Sequence, residues 1–591
     1  MSRDFHIVMT FLLVAALLAG CQEDGGGSGD GGTDTLDARE ERAPCEGITC
    51  SGHGQCVFTD GVEVCQCEPG YHAAGWGCIE DCVGEGCAEW PMLAANPQRT
   101  SWTQEEVRGN LGVEWYRPFE PYIPCKVQPI AAGGIIYVST ARGLYALGAE
   151  NGDLLWVYPT QLPLGHSPTI AEVGGRSVAF VGGYDRKIHA VDALSGLPLE
   201  GYTPHEAGAG FGTNPLVVDG VVYTGSRDGF FYALDAATGA LRWRYQTEGT
   251  IMFSAAAKDG VVYFASNDAC AYALDASDGT LVWKSERLTG AGFESFWPVV
   301  YTEKTSGRDY VILTSGENYR QTEMGLTSSD EGSTGETEIF FSDIPTGELI
   351  GPTGMDTGAG TYWGHDAVTM DVSVITDYYE DRPHRRTVHI LERDTGLEYS
   401  FDSDGDGRAE YAPFSWSGVT QAGCKFPPVI NGVDGVYYQD TAIYSAGWVS
   451  RGGTVGWQFG TDIVSRVSEF GHVDQGDGHA SDEPRVFSSG GKIIYMVLCC
   501  DRMGAGFDVT IPYGQEGPPG EGKFWRYYEY SLASNTIAPG YQQMYDDGIE
   551  DLYNNMDGWQ IFSGPNRSRN GVYGKHGNTQ SPPVPYQGRL Y

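Results

Sequence analysis

The chain has 591 residues, room for several domains, and its 78 acidic against 37 basic side chains leave a net charge of −41. That balance argues against nucleic acid, because binding a phosphate backbone needs a basic patch. It suits a cation-rich exterior, where salt screens self-repulsion within roughly 8 Å.

The first 20 residues read as a signal peptide. In "MSRDFHIVMTFLLVAALLAGC" the apolar run from Ile7 to Gly20 is too short to span a bilayer comfortably and leads straight into a Gly-rich tract. Leu18-Ala19-Gly20-Cys21 resembles the bacterial lipobox, although Asp4 offsets Arg3 in the positive region. The resemblance implies cleavage before Cys21 and lipidation of its thiol. Each buried CH₂ contributes about 0.8 kcal/mol, and two or more chains hold stably. Gln22 after the lipid site resembles lipoproteins sent on to the outer membrane, so the expected location is exported and lipid-anchored there. No later apolar stretch approaches the ~20 residues of a membrane helix.

Residues 21–44 form a Gly, Ser and acid-rich tether that cannot bury enough apolar surface to fold. Six cysteines follow in residues 45–78, and "CQCEPGYHAAGWGC" resembles the EGF signature. The resemblance implies the pairs Cys45–Cys56, Cys50–Cys65 and Cys67–Cys78; six cysteines alone allow fifteen pairings. A module this small needs such bridges, and zinc is the rival reading. "ERAP" before the first Cys lacks the acids of the calcium-binding variety. Cys82 and Cys87 are expected to close a short loop in residues 79–89.

From residue 90 to 591 the chain repeats itself. "GLYALGAENGDLLW", "KIHAVDALSGLPLE", "FFYALDAATGALRW" and "CAYALDASDGTLVW" end at Trp156, Glu200, Trp243 and Trp283, in steps of 44, 43 and 40 residues. Upstream of each stands "GGIIYV", "RSVAFV", "DGVVYT" or "DGVVYF". Alternating apolar strands with Gly/Asp turns at this period predict one four-stranded blade per repeat. No blade buries both faces alone, so several must close into a ring.

The repeats resemble the PQQ-like β-propeller family, whose hallmark is Ala-x-Asp-x-x-(Thr/Ser)-Gly-x-x-x-Trp. The resemblance implies that Trp156, Trp243 and Trp283 lock neighbouring blades, whereas Glu200 departs from the pattern. "GGTVGWQF" supplies a later Gly453 and Trp457. "WPMLAANPQRT" (90–100) resembles the family's leading segment. Starter strands recur at "FWPVVY", "CKFPPVI", "SDEPRVF" and "SPPVPYQGRLY", which gives an all-β fold of about eight blades. Either "LGVEWYRPF" (111–119) completes the last blade or the sequence is truncated; the residues leave both open.

The sharpest ligand pattern is "DSDGDGRAE" (402–410). Asp402, Asp404 and Asp406 at alternate positions, with Gly407 for the turn, put three carboxylates around one hard cation. Arg408 offers a carbonyl and Glu410 a further oxygen; Pro413 stands where an EF-hand needs Glu. The short form resembles structural calcium loops of other propellers. "GHVDQGDGHASDE" gathers His472, Asp474, Asp477, His479 and Asp482, but the spacing fits no tight ligand template and reads as a polar loop. Adjacent Cys499 and Cys500 resemble the disulfide that stacks on PQQ in quinoprotein dehydrogenases, yet they lie in a late blade. Structural bracing, or pairing with Cys125, Cys270 or Cys424, is the favoured reading. No G-x-S-x-G, P-loop or H-E-x-x-H motif is present.

The expected function is a lipid-anchored platform that docks protein or envelope partners, with calcium as a structural ion. A PQQ- and calcium-dependent dehydrogenase of alcohols or sugars is the alternative, and glycan recognition through 541–562 a third.

Overall fold

The computed structural model describes residues 44–59, 62–80, 89–105, parts of 114–123, 127–289, 292–315 without 294–295, 380, 388–402, 406–411 and 427–446 without 434 and 436. Later it describes 449–458, 465–473, 486–489, 492–497, 503–508, 524–528 and 584–591, with backbone alone from 438 to 528. Apart from a 3₁₀ turn at Cys50–Gly52, every named element is a strand. Cys21 and most of the tether, Cys82, Cys87, Cys125, Asp404, Cys424, Cys499 and Cys500 lie outside the described residues.

The repeats form antiparallel meanders in chain order. The first sheet comprises Ile130–Ala132, Ile135–Thr140, Gly143–Gly148 and Leu154–Pro159. Thr169–Val173, Arg176–Gly182 and Ile188–Asp192 make the second; Leu216–Val218, Val221–Gly225, Phe230–Asp235 and Leu241–Gln246 the third. The fourth holds Ala256–Lys258, Val261–Ala265, Ala271–Asp275 and Leu281–Lys284, and the fifth Val299–Thr302, Asp309–Thr314 and Val388–Glu392. The sixth starts at Val429–Ile430 and the seventh at Val486–Ser489, and a hairpin of Pro585–Tyr586 with Arg589–Leu590 comes last. All four starter motifs open a sheet or this hairpin.

Local sequence sets the first turn of the first four sheets and of the last hairpin. Gly133-Gly134, Gly174-Gly175, Asp219-Gly220, Asp259-Gly260 and Gln587-Gly588 all have positive φ at both residues, the two-residue hairpin geometry that favours Asp-Gly and Gly-Gly. The terminal hairpin therefore carries the signature of a first-to-second-strand turn.

Adjacent sheets are locked by the tryptophans. Trp156 Nε1 donates to Ala193 O at 3.1 Å, Trp243 Nε1 to Ala276 O at 3.1 Å and Trp283 Nε1 to Arg393 O at 2.7 Å. Each indole also covers the turn glycine of the next sheet. A Cβ on Gly196, Gly279 or Gly396 would come within 2.5–2.6 Å of the ring, so glycine is required for room as well as for its positive φ. Trp457 differs. Gly453 and Trp457 both lie inside one strand, Val449–Gln458, the third of its sheet, so no turn separates them as one does in the early repeats.

The cysteine-rich module keeps two hairpins, Gly54–Thr59 with Val62–Cys67 and Tyr71–Ala74 with Gly77–Glu80, the second reaching two residues past Cys78. Cys50–Cys65 and Cys67–Cys78 are disulfides, and Cys45 and Cys56 are each disulfide-bonded. Cys50, Cys65 and Cys78 sulfurs lie within 4.8 Å of one another, but all three are oxidised, which removes the zinc reading of this cluster. Ile79 is buried with Ala149 and Leu155, in the core of the first sheet.

Candidate functional site: the axial segment

The first strand of each sheet leaves one edge unpaired, and a single segment runs along those edges in chain order. Trp90 exchanges backbone bonds with Ala131 of the first sheet, at 2.8 and 3.0 Å. Pro91 O accepts from Ile170 N of the second sheet at 2.7 Å, and Met92 packs with Leu216 of the third. Pro97 O takes Ala257 N of the fourth, Gln98 O takes Val300 N of the fifth and Thr100 O takes Ile430 N of the sixth. Trp102 and Thr103 pair in parallel with Ser488 and Ser489 of the seventh. Glu105 then accepts from Gly588 N of the terminal hairpin. Six of the seven sheets thus bond residues 90–105 through backbone groups of their first strands, and the third meets them through Met92 packing.

The segment bends sharply to do so. Ala94, Ala95, Arg99 and Ser101 all have positive φ, which non-glycine residues adopt only when surroundings hold them. Arg99 is the pin. It is fully buried, with Nε donating to Ala255 O at 2.9 Å and Nη1 to Leu93 O at 2.5 Å. Burial lowers its pKa to about 9.

Around the segment, the residues that open the inner strands link sheet to sheet. Gln128 N donates to Ser167 Oγ (2.8 Å), Ser167 N to Asn214 Oδ1 (2.7 Å), Asn214 N to Ser254 Oγ (3.0 Å) and Ser254 N to Phe296 O (2.8 Å). Gln128 Oε1 also receives Trp90 Nε1 and Ala94 N. Gln128, Ser167 and Asn214 each precede proline, which holds them extended and aims side chain and N–H at the neighbours. These polar groups are spent on holding sheets together.

A phenol–imidazole–carboxylate chain lies between the first two sheets: Tyr158 Oη meets His189 Nδ1 at 3.0 Å, and His189 Nε2 meets Asp185 Oδ2 at 3.0 Å. The same turn position recurs as Asp228 bonded to Tyr232 Oη at 2.7 Å and as Asp268 bonded to Tyr272 Oη. The recurrence identifies a turn clamp rather than a catalytic group.

Of the remaining sequence candidates, the acidic loop sits between two short paired strands, Ser400–Phe401 and Glu410–Tyr411. Gly407 N donates to Asp402 Oδ2 at 3.1 Å and Arg408 N to Asp406 Oδ1 at 2.7 Å, while the Arg408 side chain pairs with Glu380. His472 lies in Ser465–Val473, with Asp474, Asp477, His479 and Asp482 outside the described residues. Cys270 is a buried free thiol, so it is not a partner of Cys499 or Cys500. The sequence reading missed Arg99, the proline-preceding polar residues and Trp115. Trp115 Nε1 donates to Ala149 O at 3.1 Å and its ring covers Gly152, the same lock as the three named tryptophans. Its signal was the "VEW" inside 111–119; the residues around it meet the terminal hairpin, where Glu114 pairs with Arg589 at 2.6 Å.

A family model described as outer membrane protein assembly factor BamB matches residues 200–318. The quinohemoprotein alcohol dehydrogenase of Comamonas testosteroni is 26% identical over 179 residues, 27% of this chain and 25% of that protein. The dehydrogenase subunit of the quinone alcohol dehydrogenase of Komagataeibacter europaeus is 36% identical over 165 residues, 24% of this chain and 22% of its own. The match therefore spans about a quarter of the length of these curated relatives. Among solved structures, the Comamonas testosteroni enzyme aligns with a TM-score of 0.45 at 14% identity, covering 75% of this chain and 73% of its own. BamB from Moraxella catarrhalis aligns with a TM-score of 0.33 at 15% identity, over 64% of this chain and 77% of its own.

Proposed function

We propose, for a chain whose repeats belong to the PQQ-like β-propeller repeat family, that the propeller is a docking platform for protein or envelope partners, tethered outside the cytoplasm through lipid on Cys21. The observation that carries this reading is the axial segment: residues 90–105 occupy the inner edges of successive sheets, and buried Arg99 spends two donors on carbonyls there. Chemistry is left to the rim and loop faces, which suit contact with another macromolecule. The match of residues 200–318 to an assembly factor supports the same reading.

The second reading, a PQQ- and calcium-dependent dehydrogenase, is favoured by the sequence match to quinohemoprotein alcohol dehydrogenases. One preparation separates the two. Purified protein incubated with PQQ and calcium is expected to show no dye-linked oxidation of alcohols or sugars, while crosslinking of intact cells recovers a defined partner that Cys21→Ser displaces. Turnover that depends on added quinone would overturn the platform reading.

Calcium belongs to either reading as a structural ion in the 402–410 loop, where Asp402 and Asp406 already organise the turn through backbone N–H groups. Calcium is expected to raise the melting temperature and Asp404→Ala to abolish that gain; an unchanged melting curve rejects the site.

A further inference from the structure

The outer strands that carry a locking tryptophan share a second feature. Each has a bulge that sets one residue outside the ladder just before the indole: Leu155 in the first sheet, Arg242 in the third and Val282 in the fourth. Leu155 is fully buried, and what covers it is the Gly75–Gly77 turn of the cysteine-rich module. Trp76 N donates to Leu155 O at 3.0 Å. A Cβ on Gly75 would come within 2.3 Å of that oxygen, and one on Gly77 within 2.4 Å of Leu155 Cδ2, so this approach needs glycine on both sides of the aromatic residue. Arg242 is polar and paired with Asp235 at 2.7 Å. Val282 is apolar like Leu155, yet it is 50% exposed beside Leu281, itself 42% exposed.

We infer that the outer edge of the fourth sheet, Leu281–Lys284, docks a β-turn of the same make, Gly–aromatic–Gly, carried by a disulfide-bridged module of a partner protein. The inference rests on the docking-platform reading and names one surface of it. The docked turn already present shows how the partner differs. Ile79, three residues past Trp76, approaches the backbone of Gly148, where an added Cβ would stand 3.6 Å from Ile79 Cδ1. The register puts Asp275 at that place in the fourth sheet, with Gly148 opposite Ile135 and Asp275 opposite Val261. Asp275 is an ionised turn carboxylate, held below its ordinary range by the Ser277 hydroxyl and N–H. A partner turn for this edge therefore carries lysine or arginine three residues after its aromatic side chain.

The probe is the protein's own turn, a peptide of residues 67–80 closed by the Cys67–Cys78 bond, made both as it stands and with Ile79→Lys. Each is titrated into the full chain and into Val282→Asp, at an exposed position, and Asp275→Asn, at a half-buried one, with the folding of both variants checked by melting. The Ile79→Lys peptide is expected to bind the native chain more tightly than the unmodified one. Val282→Asp should weaken it by at least about tenfold, the loss of one buried valine contact, and Asp275→Asn should erase the preference for lysine. Equal binding to native and Val282→Asp protein, or no binding of either peptide, overturns the inference. Partner crosslinks that persist elsewhere on the propeller would then keep the platform reading standing without this edge.

Discussion

The junction between the second and third sheets differs from its neighbours in every component of the lock. At the third-to-fourth junction, Ala276 O receives Trp243 Nε1 at 3.1 Å and Tyr223 Oη at 2.9 Å. Ala193 O likewise receives Trp156 Nε1 and Tyr137 Oη at the first-to-second junction. The second sheet has Phe180 where the others have that tyrosine and Glu200 where they have tryptophan, so both donors are gone together. In their place Thr203 N bonds Thr238 O at 2.9 Å, and the Tyr202 ring stands against Gly239. The strand lacks the bulge as well: Leu199 N bonds Ala190 O directly, and Leu199 turns inward. What holds the ring is a covered turn and a satisfied carbonyl, and an indole is one way to supply both. The substitute is less complete, since the buried Tyr202 hydroxyl finds no hydrogen-bond partner among the described residues.

The comparison breaks most readily at Trp243. Trp243→Ala should cost about 3–5 kcal/mol through the cavity and the lost donor, read as a fall in denaturant midpoint. Trp243→Phe should cost less, and combined with Tyr223→Phe should exceed the sum of the two single changes by about 1 kcal/mol, because only the pair strips Ala276 O of both donors. Strict additivity would refute the shared-carbonyl account.

The fourth-to-fifth junction adds charge. Asp309 accepts from Lys258 Nζ and Thr302 Oγ1, each at 2.6 Å, and pairs with Arg393, which also bonds Tyr263 Oη. Burial pushes the Asp309 carboxyl up, but Lys258, Thr302 and Arg393 together outweigh it and hold it below its ordinary range. Its stabilisation is therefore fully present above the unfolded-state value near pH 4 and lost as pH falls through the lower folded value. Asp309→Asn should cost about 2 kcal/mol at pH 7, and the gap to the native chain should close on acidification. A gap independent of pH would rule out this origin. The smallest effect is expected at the weak junction: Tyr202→Phe should be neutral within about 0.5 kcal/mol or slightly stabilising, as it removes a buried hydroxyl without a partner. A large loss there would reveal a bond to that hydroxyl.

Much of this was legible in the residues. The Asp-Gly and Gly-Gly turns, the starter motifs and the Gly-x-x-x-Trp spacing located the sheets because hairpin geometry and indole packing act over a few residues. Glu200 announced the irregular junction, though not that Tyr202 would fill it, since that depends on the path of the strand after Pro198. Trp457 matched the local spacing but not the fold, as a ten-residue strand replaces the expected turn. The axial role of residues 90–105 was invisible because it consists of backbone bonds to strands up to several hundred residues away. Gly148 was a signal overlooked: glycine stands where the repeat pattern calls for Asp, and it is there that Ile79 approaches the first sheet.

The axial segment also sets a timetable for folding. Residues 90–105 leave the ribosome before every strand they will eventually bond, and their last described partner, Gly588, is 483 positions downstream. Trp90 can bond Ala131 soon after that strand is made, whereas the far end of the ribbon gains its bond from Gly588 only once that hairpin has been added. The hub therefore sets strand by strand in chain order, and a chain cut before Val486 would leave Trp102 and Thr103 without the strand they pair with.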